Sequence, residues 1–85
     1  MNKIQVRYFA GLREALGAGE SVELAEGSTL AALRDRLLAL DGRHADVLAR
    51  GRAVRCAVNQ VMADGEDLVI PAAAEVAFFP PVTGG

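Results

Sequence analysis

A single leucine stripe sets the tightest limit on the fold of this chain. Leu30, Leu33, Leu37 and Leu40 recur at spacings of three, four and three, which lines one face of a helix. Ser28 or Thr29 can cap its start, although neither has Glu or Gln three residues later to complete a capping box. Gly42 after Asp41 reads as its stop, and Arg34, Asp35 and Arg36 fall away from the centre of the stripe. The other helical signals are minor. LREAL at 12–16, bracketed by Gly11 and Gly17, amounts to one turn at most, and 41–53 reads as a polar loop with at most one turn around Val47 and Leu48. One apolar helix face must be covered, and in 85 residues a single sheet is the economical cover.

The rest of the sequence supplies that sheet. In KIQVRYF, 3–9, Ile4, Val6 and Tyr8 alternate with Lys3, Gln5, Arg7 and Phe9, the period-two pattern of a half-buried strand. ESVEL, 20–24, repeats it with Val22 and Leu24 inward, close enough to form an antiparallel pair with the first strand. VRCAV at 54–58 is a third strand, Asn59–Gln60 turns the chain into VMA, and Asp64–Gly65 is a turn signal. LVI at 68–70 is a brief apolar run stopped by Pro71, and EVAFF at 75–79 is a strong strand ended by Pro80 and Pro81. The order β, β, long helix, β, short elements, β predicts an α+β fold of the ubiquitin-like β-grasp type. About five strands form a mixed sheet on one main helix, with the first and last strands parallel neighbours at its centre. The expected division is a β-grasp domain over 1–81 and a flexible tail over 82–85.

Composition removes several classes of function. Nine basic against eleven acidic residues, net charge −2, leave no basic footprint for nucleic acid. Cys56 is the one cysteine, which excludes a disulfide framework or an all-cysteine metal site within the chain, and it reads as a buried free thiol. His44, with no other histidine to join it, reads as a surface residue of a polar loop. No apolar run approaches the ~20 residues of a membrane span, and the N-terminus lacks a signal-peptide core, so a cytoplasmic protein is expected.

Two features point to function. Alternation puts Phe9 with Lys3, Gln5 and Arg7, and Phe79 with Glu75 and Ala77, so both aromatics are expected outward at the ends of adjacent strands. Neighbouring exposed aromatics make a docking patch. The second feature is FFPPVTGG, 78–85. Pro80 and Pro81 stiffen its base, Val82 and Thr83 offer contacts along it, and Gly84 and Gly85 can enter a channel too narrow for any Cβ. Six extended residues from Pro80 reach roughly 20 Å. Such an arm can carry a terminal carboxylate into the active site of another protein. Activated by ATP as an acyl-adenylate and then attacked by sulfide, or by a persulfide whose S–S bond a thiol then reduces, the carboxylate becomes a thiocarboxylate, an ionised sulfur nucleophile. No side chain of the carrier need take part. Lys3 is the only lysine, which argues against chains built on internal lysines.

VRYFAGLRE at 6–14, the helix from Thr29, AVNQ at 57–60 and above all EVAFFPPVTGG at 75–85 resemble the small subunits of molybdopterin synthase, a family of ubiquitin-like sulfur carriers. The resemblance spans nearly the whole chain. It implies a β-grasp fold, a thiocarboxylate on Gly85, and Gly84 lining the channel that receives it. It implies an E1-like adenylyltransferase that uses ATP, and no permanently bound cofactor. It also implies insertion of the tail into a large synthase subunit, which converts cyclic pyranopterin monophosphate to molybdopterin in a heterotetramer, with Phe9 and Phe79 at partner-contact positions. The chain departs from the family before the last strand, where PAAAEV replaces an acidic, glycine-containing turn. The residues themselves leave open a carrier for thiamine or cysteine biosynthesis, or a ubiquitin-like modifier.

Overall fold

The structure is a computed structural model that describes residues 1–49 and 53–80. Five strands, β1 (Asn2–Tyr8), β2 (Gly19–Leu24), β3 (Arg55–Val58), β4 (Val61–Met62) and β5 (Glu75–Phe79), form one sheet in the order β2-β1-β5-β3-β4. β1 and β5 are parallel at its centre, and every other pairing is antiparallel. This is the β-grasp arrangement that the element order predicts. One sheet face is covered by α2 (Leu30–Leu38), assisted by α1 (Gly11–Leu16) and α3 (Gly42–Leu48). Ile4, Val6, Tyr8, Val76 and Phe78 from the central strands meet Leu30, Leu33 and Leu37 of α2, with Leu12 of α1 and Leu48 of α3 completing the core.

Local chemistry explains most boundaries, including those that depart from the sequence pattern. Thr29 caps α2, its hydroxyl accepting from the Ala32 N–H at 3.2 Å. α2 stops at Leu38, so Leu40 lies outside it and is exposed although it continues the leucine stripe. The chain turns there because Asp41 starts another helix, accepting the His44 N–H at 3.0 Å. Gly42 is thus the first residue of α3, not the stop of α2, and the expected loop holds a helix of seven residues. α1 likewise exceeds the single turn expected, spanning six residues. The Asn59–Gln60 turn has φ of 48° and 70°, a left-handed two-residue hairpin turn, which sets Ala57 opposite Met62.

The PAAAEV segment makes its turn without glycine. Ala73 sits at φ 54° and is held there by Asn2, whose side-chain oxygen accepts the Ala73 N–H at 2.7 Å while its amide donates to the Pro71 carbonyl at 3.1 Å. A left-handed alanine carries a steric cost that glycine avoids. Ala73→Gly is therefore expected to raise stability by about 0.5–1 kcal/mol, the steric relief exceeding the added unfolded-chain entropy. Urea denaturation checks this, and a lowered midpoint would show that the position is not strained.

Candidate docking face and its support

The uncovered face of the sheet is the candidate site. Pairing registers assemble it strand by strand. Arg7 of β1 pairs with Ala77 of β5, Ala77 with Ala57 of β3, and Ala57 with Met62 of β4, one row across four strands. At the next outward position Arg55 pairs with Phe79. Phe9 follows β1 directly and donates its N–H to the Phe78 carbonyl at 3.1 Å, which brings it to the same end of the sheet. Phe9 is 43% exposed, and Phe79 is half-buried on the face opposite Phe78. Two alanines thus make a low floor between Phe79 and Met62, and Arg7 and Arg55 flank it. The surface is apolar, with Arg55 at one edge and Arg7, paired with Glu75 at 3.5 Å, at the other, which suits a partner with apolar knobs.

Both aromatics that alternation sends outward occupy this face. Ala57, Ala77, Met62 and Arg55 belong to it too and were missed from sequence. Treating Asn59–Gln60 as a two-residue hairpin would have found Met62, because it fixes Ala57 opposite Met62. Pro80 is half-buried and leaves β5 beside the face. Pro81, Val82, Thr83, Gly84 and Gly85, named above as the arm and its reactive end, lie outside the described residues.

A polar network supports this end of the sheet from within. The Tyr8 hydroxyl donates to Glu20 Oε2 at 2.6 Å, and Tyr8 stacks on Phe78 with centroids 6.3 Å apart. Burial, then the bond to Glu20, pushes the phenol pKa far up, so Tyr8 remains a donor. Glu20 also meets His44 Nε2 at 2.7 Å, and Asp41 Oδ1 meets His44 Nδ1 at 2.7 Å. His44 is therefore not the surface residue expected. It is 8% exposed and lies edge-on to Tyr8. Burial alone depresses its pKa, but hydrogen bonds to the Glu20 and Asp41 carboxylates outweigh that and raise it above the ordinary value. The Asp41 carboxyl is held low, first by the His44 backbone N–H and then by its ring.

These shifts predict a pH dependence with a definite sign. An unfolded imidazole titrates near 6.5. With a higher folded pKa, the His44 contribution is complete below about 6.5 and disappears as pH rises through the folded value. Asp41 acts oppositely, contributing above its unfolded value of 3.8 and losing that as pH falls. Melting temperature is expected to fall as pH rises above about 6.5, and His44→Gln is expected to flatten that slope. An unchanged slope in the variant would show that His44 is neutral throughout.

Cys56 is buried, and its thiol is pushed up to about 11, mainly by burial, which keeps it protonated and unreactive at neutral pH. Among the described residues no cluster of His, Cys, Asp or Glu could hold a metal ion, and no helix is long and apolar enough to cross a membrane.

Fold and face together define a ubiquitin-like β-grasp domain that offers an apolar surface beside the exit of its C-terminal segment. Residues 6–85 match the ThiS family, and the chain belongs to that family. It is 40% identical over 82 residues to the molybdopterin synthase sulfur carrier subunit of Escherichia coli strain K12, covering 96% of this chain and 99% of that protein. A Pyrococcus furiosus structure described as subunit 1 of a molybdopterin converting factor is 27% identical with a TM-score of 0.78, over 96% of this chain and 100% of that one. A complex of subunits 1 and 2 of molybdopterin-converting factor from Helicobacter pylori 26695 shares the fold, at 20% identity and TM-score 0.69, over 98% of this chain and 99% of that chain.

Proposed function

We propose that this chain is the sulfur carrier subunit of a molybdopterin synthase and delivers sulfur as a thiocarboxylate on Gly85. The observation that carries the reading is the near full-length identity to a protein of that name, 40% over 82 residues. The outward face supports it, since a carrier must be held by each protein that acts on its tail. The chain does not catalyse alone. An E1-like adenylyltransferase forms the acyl-adenylate from ATP with release of pyrophosphate, and a sulfur donor then displaces AMP. The arm, stiffened at Pro80 and Pro81 and contacted at Val82 and Thr83, passes Gly84 and Gly85 into the large subunit of a heterotetramer. There the thiocarboxylate sulfur bonds to cyclic pyranopterin monophosphate, and water then attacks the Gly85 acyl carbon, breaking its C–S bond and regenerating the carboxylate. The chain itself binds no permanent cofactor, and the reaction belongs in the cytoplasm, where ATP is available.

Mass spectrometry after co-expression with the activating enzyme tests this. Replacement of one carboxylate oxygen by sulfur adds about 16 Da, the difference between the nucleophile formed and the acid it came from. Conjugates to lysines of other proteins, with no thiocarboxylate, would identify a modifier instead.

The docking face has its own test. Phe79→Ala is expected to weaken binding of the large subunit by about 2 kcal/mol, roughly 30-fold, as for an aromatic anchor at an interface centre. It should lower stability less, because Phe79 is only half-buried and Phe78 fills the core. Calorimetry of binding beside a thermal melt separates the two. A sharp loss of melting temperature with unchanged affinity would make Phe79 a structural residue.

A further inference from the structure

Among the described residues, large exposed apolar side chains are not spread evenly. Val61, Met62, Leu68 and Val69, with Val61 69% and Val69 54% exposed, border one groove of about 440 Å3, Val61 and Met62 from opposite faces of β4. Val58 and Pro71 line its floor and end. The groove borders β4, the last strand of the sheet. Ala63 donates to the Cys56 carbonyl at 3.0 Å, so residues 56 and 63 form a hydrogen-bonded pair. The alternation of an antiparallel ladder then turns the N–H and C=O of Met62 toward the free edge. Sheet edges are usually guarded by charge or proline. This one presents valine and methionine. The charge lies instead on the groove wall, where Asp64 and Asp67 are both exposed and no basic residue lines the groove.

We infer that this groove receives an extended segment of another protein in which apolar and basic residues alternate, added as a strand beside β4 with its cations against Asp64 and Asp67. Backbone groups of Met62 supply the pairing, the apolar side chains fill the groove, and the two carboxylates select the charge. A second copy of this chain is a poor occupant. A two-fold contact sets the same surface against itself, and here that surface offers carboxylates without a cation to meet them. The groove shares Met62 with the docking face but excludes Phe9 and Phe79, and the inference does not rest on the sulfur-carrier reading.

The test uses the full chain, 15N-labelled, titrated with a capped octapeptide alternating Lys with Val and Leu, and with its Glu counterpart. The expected result is saturable amide shifts over residues 61–69 with the Lys peptide alone. Val69→Glu should abolish them, and Asp64→Asn with Asp67→Asn should weaken binding about tenfold, as for two solvent-screened charge pairs. Both variants change exposed positions, and their dispersed spectra would show an intact fold. Absence of saturable shifts, equal affinity for the Glu peptide, or shifts centred on Ala77 and Phe79 would overturn the proposal. So would concentration-dependent sedimentation that Val69→Glu removes, which would assign the groove to a second copy.

Discussion

Removing Gly85, or adding one residue after it, is expected to abolish sulfur transfer and leave the fold unchanged. The reasoning is geometric. A carboxylate delivered by an extended arm arrives at a depth fixed by the number of residues between the docked domain and the reacting carbon. One residue moves it by about 3.5 Å, more than the tolerance of a reacting pair held near 3 Å. Misplacement of even 1 Å can cost about a hundredfold in rate, so a whole residue should leave no measurable turnover. Among the described residues Phe78 is the last fully buried side chain. The melting temperature should therefore stay within error of the parent. Two measurements check the claim, thiocarboxylate formation by mass and product formation with the large subunit. A variant with full activity would refute the carrier reading, whereas one that acquires sulfur but cannot donate it would place the depth requirement in the large subunit alone.

Arg34→Met is expected to destabilise the fold by about 3 kcal/mol, near the lower end for removal of one member of a buried charge network. Arg34 lies on α2 but is only 4% exposed. Its Nε donates to the Leu48 carbonyl at 2.6 Å, one terminal nitrogen to the Ala49 carbonyl at 2.7 Å, and the other to Glu66. The two carbonyls close the end of α3, so one side chain joins α2, α3 and the turn at residue 66. Methionine replaces much of the aliphatic stem but leaves those carbonyls without this donor. Glu66 is partly exposed and can recover water, which keeps the estimate low. Against a total of about 4–13 kcal/mol for a chain of this length, the loss would move the denaturation midpoint far. Chemical denaturation with tryptophan-free detection, such as far-ultraviolet dichroism, reads it directly. A change under about 1 kcal/mol would mean that the network breaks even against an apolar replacement.

Arg34 also marks the limit of what is legible in one chain of letters. A charged residue between Leu33 and Leu37 belongs by pattern to the solvent side of a helix, and Asp35 and Arg36 do lie there. Position 34 is buried because α3 packs along that flank of α2, and the packing of two helices is not a property of either alone. His44 repeats the lesson. The capping signal of Asp41 three residues before it was present in the sequence, but its partner Glu20 comes from β2, 24 residues away. Leu40 fails for a nearer reason. The stripe runs on in sequence, but the last turn tightens, Leu40 donating to the Leu37 carbonyl at 3.0 Å, and Asp41 is already extended, so Leu40 leaves the line of the stripe.

The sequence by itself determined the strands, their faces and the order of the elements. Alternation in β1 and β5 is a local property of an extended chain, so Ile4, Val6, Tyr8, Val76 and Phe78 could only share one side. Once β1 and β5 are neighbours, Phe9 and Phe79 must arrive outward at the same end. The expected tail chemistry rests on residue identity alone, since 81–85 lie outside the described residues. Tertiary structure alone decided the buried Arg34, the Tyr8–Glu20–His44–Asp41 network, the alanine floor between Phe79 and Met62, and the acidic groove beside β4. Each of these joins residues from separate elements, and its energy exists only when those elements are packed, so no local pattern along the chain could record it.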